Sequence, residues 1–173
     1  MKKHLILTAF SFSCVAGMAR GGLPADYNEG FIEHAVRVPR LPAPVAVTTD
    51  LNQPPWTEAA MLTGNLDWRR IRTADRPITT YLFYTDRDLW LGYRCEVKPG
   101  DKLKAEIRER DGDLKKDDHV NIELDVGPTG RVFYRFMINS LGTVHDSVII
   151  DKRWNSHAEI KTAKDARGWT MVI

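Results

Sequence analysis

The chain is short of cysteine. Only Cys14 and Cys95 occur in 173 residues, and Cys14 lies in an N-terminal stretch built like a secretory signal. Lys2, Lys3 and His4 make a basic start, Leu5 to Val15 an apolar run, and Ala16-Gly17-Met18-Ala19 a small-residue site for cleavage after Ala19. Loss of residues 1–19 leaves Cys95 alone, which excludes an intrachain disulfide even in the oxidising compartment that export implies. Cys95 sits in an alternating pattern and reads as a small buried hydrophobe. The residues before Cys14, Ser11-Phe12-Ser13, lack the aliphatic side chain of a lipobox. Plain export is expected, to the periplasm or the exterior. Long apolar runs are missing too. Leu5–Val15 falls short of the ~20 residues a spanning helix needs, so no integral membrane span is expected. Nor is there an excess of one charge. The 25 basic and 23 acidic residues become 23 of each once Lys2 and Lys3 leave with the signal. Nucleic-acid binding would need a clustered positive surplus, and none is present.

Catalytic signatures are absent as well. The chain has no Gly-x-Ser-x-Gly elbow, no glycine-rich phosphate loop and no His-Glu-x-x-His. His34, His119, His145 and His157 are scattered, without metal-ligand spacing. Acidic residues are plentiful, so any pair of them is weak evidence for glycoside hydrolysis, which needs a set separation across a cleft. The expectation is a protein that is not an enzyme.

What the sequence does have is alternation. Ile78–Thr85 and Leu89–Val97 flank Asp86-Arg87-Asp88 and predict a hairpin. Val120, Ile122, Leu124 and Val126 alternate with Asn121, Glu123 and Asp125, the pattern of a half-buried strand. Gly127-Pro128-Thr129-Gly130 predicts a turn. A strand over Val132–Asn139 follows, then others over Val144–Ile150, His157–Thr162 and Trp169–Ile173. Residues 20–43, rich in glycine and proline, read as a lead-in with at most a short edge strand at Ala35–Val38. Pro44–Thr48 is a candidate first strand, and Pro55–Ala60 a helical turn with proline near its start. Lys98–Asp118 is almost wholly polar and reads as a solvated loop with one helical turn. The organisation expected is a signal at 1–19, a lead-in at 20–43 and one domain at 44–173. Short strands with regular turns argue an all-β antiparallel sandwich of two sheets, jelly-roll or immunoglobulin-like.

Five short signals stand in series along that domain. They are Asp50-Leu51-Asn52-Gln53-Pro54-Pro55-Trp56, the hairpin Tyr84–Tyr93, Asp117–Asp125, Tyr134–Gly142 and Gly168-Trp169. In this order the chain resembles the carbohydrate-binding module family 9 domain, a β-sandwich of extracytoplasmic bacterial proteins, from about Asp50 to Ile173. The resemblance implies a non-catalytic partner of polysaccharide or oligosaccharide, with any hydrolase in a downstream domain of the same polypeptide. It implies that Trp56 and Trp169 are packing aromatics. It also implies further strands beyond Gly168–Ile173, so that the sandwich here would miss its last strands. The chain departs from the family where members clamp a sugar. One clamp tryptophan falls near Lys115 and the other beyond Ile173. A ligand glutamate falls at Asn121 and a ligand arginine near Met137.

The candidate ligand surface, read from alternation, is the solvent side of the central strands, with Arg94, Asn121, Glu123 and Arg135. Planar amides, carboxylates and guanidinium groups suit adjacent sugar hydroxyls, and aromatic faces suit the C–H side of a pyranose. The same residues would serve equally as cross-strand ion pairs on a wet face. Trp90 faces away from Leu89 and Leu91. Trp68 and Trp154 are less committed to packing, and Trp154 is the best stacking candidate. Asp111, Asp113, Asp117 and Asp118 offer hard oxygens close in sequence and are candidate calcium ligands, a cation the family often carries. They do not match an EF-hand loop. The rival reading is a structural or interaction domain of a larger outer-membrane or cell-surface protein. A remoter one is haem binding through Met137 or His119, though no haem attachment motif exists.

Overall fold

The computed structural model describes residues 6–7, 36–43, 46–63, 66–67, 72–73, 76–125 and 132–173. Trp68, His34 and the predicted turn at 127–130 lie outside these residues, as do all of residues 1–19 but Ile6–Leu7 and the start of the candidate strand at Pro44. Among the described residues are eight strands of three or more residues: β1 (Ala60–Leu62), β2 (Ile78–Tyr84), β3 (Leu89–Glu96), β4 (His119–Leu124), β5 (Tyr134–Asn139), β6 (Val144–Val148), β7 (Lys161–Asp165) and β8 (Gly168–Val172). Two-residue ladders pair Ile6–Leu7 with Val36–Arg37 and Leu66–Asp67 with Arg72–Thr73. Single 3₁₀ turns occupy Trp56–Glu58 and Leu114–Lys116. No helix among the described residues is long and apolar enough to cross a membrane.

The strands form two antiparallel sheets. One has the order β7-β8-β3-β2-β1, the other β6-β5-β4. This is the all-β sandwich that the alternation predicts. The β2–β3 hairpin turns through Asp86-Arg87-Asp88 as expected, with the Thr85 hydroxyl accepting from the Arg87 and Asp88 N–H groups. The register puts Leu82 against Leu91 and Trp169 against Cys95. With Tyr93 and Met171 they form the inner face of the larger sheet. It meets Val120, Ile122, Phe136, Ile138 and Val144 from the smaller one. Burial raises the Tyr93 phenol and pushes the Cys95 thiol up to about 12, despite Arg94 beside it.

The outer face of the larger sheet is covered as well. Leu41, Val47, Leu51 and Trp56 pack there on Phe83 and Val172. Asp50 accepts from the Asn52 N–H and shapes the turn, while the Trp56 indole N–H donates to Thr48 O at 2.9 Å. The indole lies directly over Gly92, where a Cβ would sit 2.9 Å from both Trp56 Cζ3 and Leu51 Cδ2. Gly168 has a different reason to be glycine. Its φ of +149° and a would-be Cβ 2.1 Å from Cys95 O admit no side chain.

Several expectations shift. The described part of the candidate first strand, Ala46–Thr48, is irregular. The strand expected over His157–Thr162 instead runs Lys161–Asp165. Packing begins before residue 44, because Val38 and Leu41 are buried and Leu41 N–H donates to Tyr84 O. The polar stretch 98–118 is not simply solvated: Leu114 is buried and Leu103 packs against the core.

Candidate functional site

Alternation gives three of the five candidate ligand residues one face. His119, Asn121 and Glu123 of β4 and Arg135 of β5 point opposite to Val120, Ile122 and Phe136, so they stand on the outer face of the three-stranded sheet. Glu123 is directly across from Arg135. Arg135 donates to Glu123 Oε1 through Nε at 2.9 Å, and Nη2 lies 2.8 Å from the same oxygen. Its guanidinium also lies over the Phe133 ring, 5.2 Å from the centroid. Asn121 Nδ2 reaches Glu123 Oε1 at 3.4 Å, while Asn121 Oδ1 is buried with no hydrogen-bond partner. A buried acceptor without a donor costs about 1–3 kcal/mol. This row is therefore held by an ion pair and a ring, and has one unmet acceptor at its end.

The other two candidates lie elsewhere, and for Arg94 this corrects the expectation of one surface shared with Asn121, Glu123 and Arg135. Arg94 belongs to the five-stranded sheet, on the face opposite Tyr93 and Cys95. There it grips Asp165 with two hydrogen bonds of 2.7 and 2.9 Å. That grip, with the Arg167 N–H, holds the Asp165 carboxyl down at about 2. The two sheets share a core, so their outer faces point away from each other. Trp154 packs on Tyr134 and Phe136, with ring centroids 5.1 and 5.9 Å apart. Both partners face inward, so Trp154 sits on the opposite side of the small sheet from Asn121 and Arg135.

The segment around Trp154 is fixed by a buried carboxylate. Asp146, fully buried, accepts from Arg110 Nη2 at 2.8 and 2.7 Å and from the Ser156 N–H at 2.8 Å. Arg110 Nε donates to Asn155 Oδ1. This ion pair and its hydrogen bonds to Asn155 and Ser156 thus tie the 98–118 segment, β6 and the 151–160 segment together. Its sequence signal is an aspartate at the inward parity of Val144-His145-Asp146-Ser147-Val148.

The four candidate calcium ligands are spread over separate tasks. Asp117 is buried and accepts from the Glu106 and Ile107 N–H groups at 3.0 and 2.9 Å and from Asn139 Nδ2 at 2.9 Å. Burial alone would raise its pKa, but these bonds outweigh it and hold the carboxyl below the usual range. Asp118 accepts from the Lys104 N–H and from Arg76. Asp111 Oδ1 lies 3.4 Å from the Asp146 N–H, and Asp113 is 3.5 Å from Lys116 Nζ. Among the described residues no group of three or more His, Cys, Asp and Glu side chains is placed to hold a metal ion. Asn139, which sequence reasoning passed over, completes the anchor. It is fully buried, donates to Ile107 O, and accepts from the Leu141 and Thr143 N–H groups. Of the haem candidates, Met137 is buried and His119 Nδ1 bonds Asp117 O at 2.8 Å.

Trp90 stacks on Phe83. It also borders a cleft of about 380 Å³ that opens between the sheet ends beside Leu89, Leu124, Phe136, His157 and Glu159. None of the five candidate ligand residues lines this cleft. No family model, no curated protein and no solved structure matches the chain.

Proposed function

We propose that the chain is a non-catalytic carbohydrate-binding module of an exported, polysaccharide-processing protein. In this reading the outer face of the three-stranded sheet meets a polysaccharide or oligosaccharide. The observation that carries it is the row Asn121, Glu123 and Arg135. Arg135 spends two of its nitrogens on Glu123 and is steadied by Phe133. A guanidinium has five donors in a fixed fork, so the others are left for adjacent hydroxyls. Because the fork is held in advance, little side-chain entropy is lost on binding. In this reading residues 1–19 are a secretory signal and the module works in the periplasm or the exterior, and calcium enters as an ion to be varied.

The rival reading, an interaction domain of a larger cell-surface protein, has one observation in its favour. Glu123 and Arg135 already satisfy each other, so most of the row is complete without a ligand. A glycan array and polysaccharide pull-down on the mature chain, with and without calcium, separates the two. Saturable binding to one glycan class is expected, and Asn121→Ala should abolish it with little change in Tm. Unchanged affinity in that variant would sink the site, and a folded chain that binds no glycan would favour the interaction domain.

A further inference from the structure

The hairpin joining β6 to the 151–160 segment breaks two local rules at once. Val148 and Asp151 exchange backbone hydrogen bonds of 3.2 and 2.9 Å, which makes Ile149 and Ile150 the two central residues of a tight turn. Ile149 has φ +57°, while Ile150 is not in the positive region. Positive φ at the first central position alone is the pattern of a II′ turn, where glycine belongs. A β-branched residue there is a true outlier. The turn is also apolar where turns are polar. Ile150 is 88% exposed, Ile149 37% and Val132 44%. Ile149 N–H donates to Phe133 O, so the turn stands at the end of the small sheet where the chain enters β5. Lys152 and Arg153, both exposed, follow immediately.

We propose that this tip docks on a lipid bilayer carrying anionic headgroups, with Ile149 and Ile150 entering the acyl boundary and Lys152 and Arg153 resting among the phosphates. The apex is only two residues wide, and a fluid bilayer accepts such a tip without a matching pocket. Along the turn an aliphatic apex is followed, after Asp151, by two cations, and apolar then cationic is the order of layers in a membrane surface. Asp151 engages Arg153 through Nε and Nη2, both at 2.9 Å. That pair is solvent-exposed and uses two of the guanidinium nitrogens, which leaves the remaining donors of Arg153 free to share with phosphate. The strain at Ile149 is then the cost of placing an aliphatic side chain at the apex. The glycan face and this tip use different residues, so the two readings stand or fall separately.

The test is co-sedimentation of the full chain with vesicles of phosphatidylcholine containing about a third phosphatidylglycerol, compared with phosphatidylcholine alone. The wild-type chain should bind the mixed vesicles and release in high salt. Ile149→Gly with Ile150→Ser should bind at least ~10-fold more weakly, because two aliphatic side chains no longer leave water. Its Tm should be equal or higher, since glycine relieves the left-handed backbone. Asn121→Ala should sediment like the wild type. A wild-type chain left in the supernatant, equal binding by the double variant, or a lowered Tm in Ile149→Gly alone would each overturn the proposal.

Discussion

Replacing Asp117 with alanine should be among the most damaging single changes in this chain, because of what its carboxylate holds. Asp117 keeps 6% of its surface exposed and accepts three hydrogen bonds, from the Glu106 N–H, the Ile107 N–H and Asn139 Nδ2. Truncation leaves three donors in a buried place. Each unsatisfied donor costs about 1–3 kcal/mol, and water entering the vacated volume recovers part of that, so a net loss of about 3–5 kcal/mol is expected. Against a domain stability of ~5–15 kcal/mol this is large. With a urea slope near 1.5 kcal/mol/M, the midpoint should fall by roughly 2–3 M. Asp117→Asn keeps the volume but turns one oxygen into a donor facing donors, and should lose a comparable amount. Equilibrium urea unfolding at neutral pH, followed by tryptophan fluorescence, reads both. The reasoning is refuted if Asp117→Ala costs under ~1 kcal/mol or if Asp117→Asn is neutral. A fall in the wild-type midpoint on adding EDTA would return Asp117 to the role of cation ligand.

Two further outcomes are expected. Gly92→Ala puts a methyl 2.9 Å from Trp56 Cζ3 and Leu51 Cδ2, so it should cost about 1–3 kcal/mol by overpacking and shift the tryptophan emission to the red; an unshifted spectrum with full stability would contradict the close approach. The Asp165 carboxyl, held at about 2 by Arg94, lies below the ~3.9 of an unfolded aspartate. The unfolded chain therefore binds the proton first, and the pair's contribution is present above pH ~4 and lost as the pH falls through the folded value. Arg94→Met should flatten the slope of stability against pH in that window, modestly because Asp165 is exposed; identical slopes would remove the pair from the account.

The strands were legible because a period of two survives in short segments. Ile78–Thr85 and Leu89–Val97 carry both the alternation and the turn residues between them, and the observed β2 and β3 end within a residue of those limits. Alternation says which face of its own strand a residue takes. It does not say which sheet the strand joins. That is why Arg94 was grouped with Asn121, although β3 pairs with β8 and β2 and β4 pairs with β5. The 98–118 segment was opaque for another reason. Its fold comes from single side chains, Asp117 and Asn139, that satisfy buried backbone groups, and no periodicity marks such anchors. The signals that could have been used are Leu103, Ile107 and Leu114, isolated apolar residues in a charged run. Trp154 stands in an irregular stretch with no periodicity to give its side, and the bonds of Asn155 and Ser156 to the Asp146–Arg110 pair draw that stretch in against Tyr134 and Phe136.

The indole seated on Gly92 has a consequence for handling and turnover of the protein. The segment carrying Leu41, Val47, Leu51 and Trp56 contributes no strand to the larger sheet, yet it covers Phe83 and Val172 on that sheet's outer side. It works as a clasp. A protease cut at the exposed Pro42–Ala43 would leave both sheets and their hydrogen-bond ladders intact. It would also loosen the cover from one whole side, and the uncovered layer would be sticky. The degradation product to expect is a folded but self-associating remnant, and the step that commits the protein to aggregation would be the peeling of one short irregular segment rather than global unfolding.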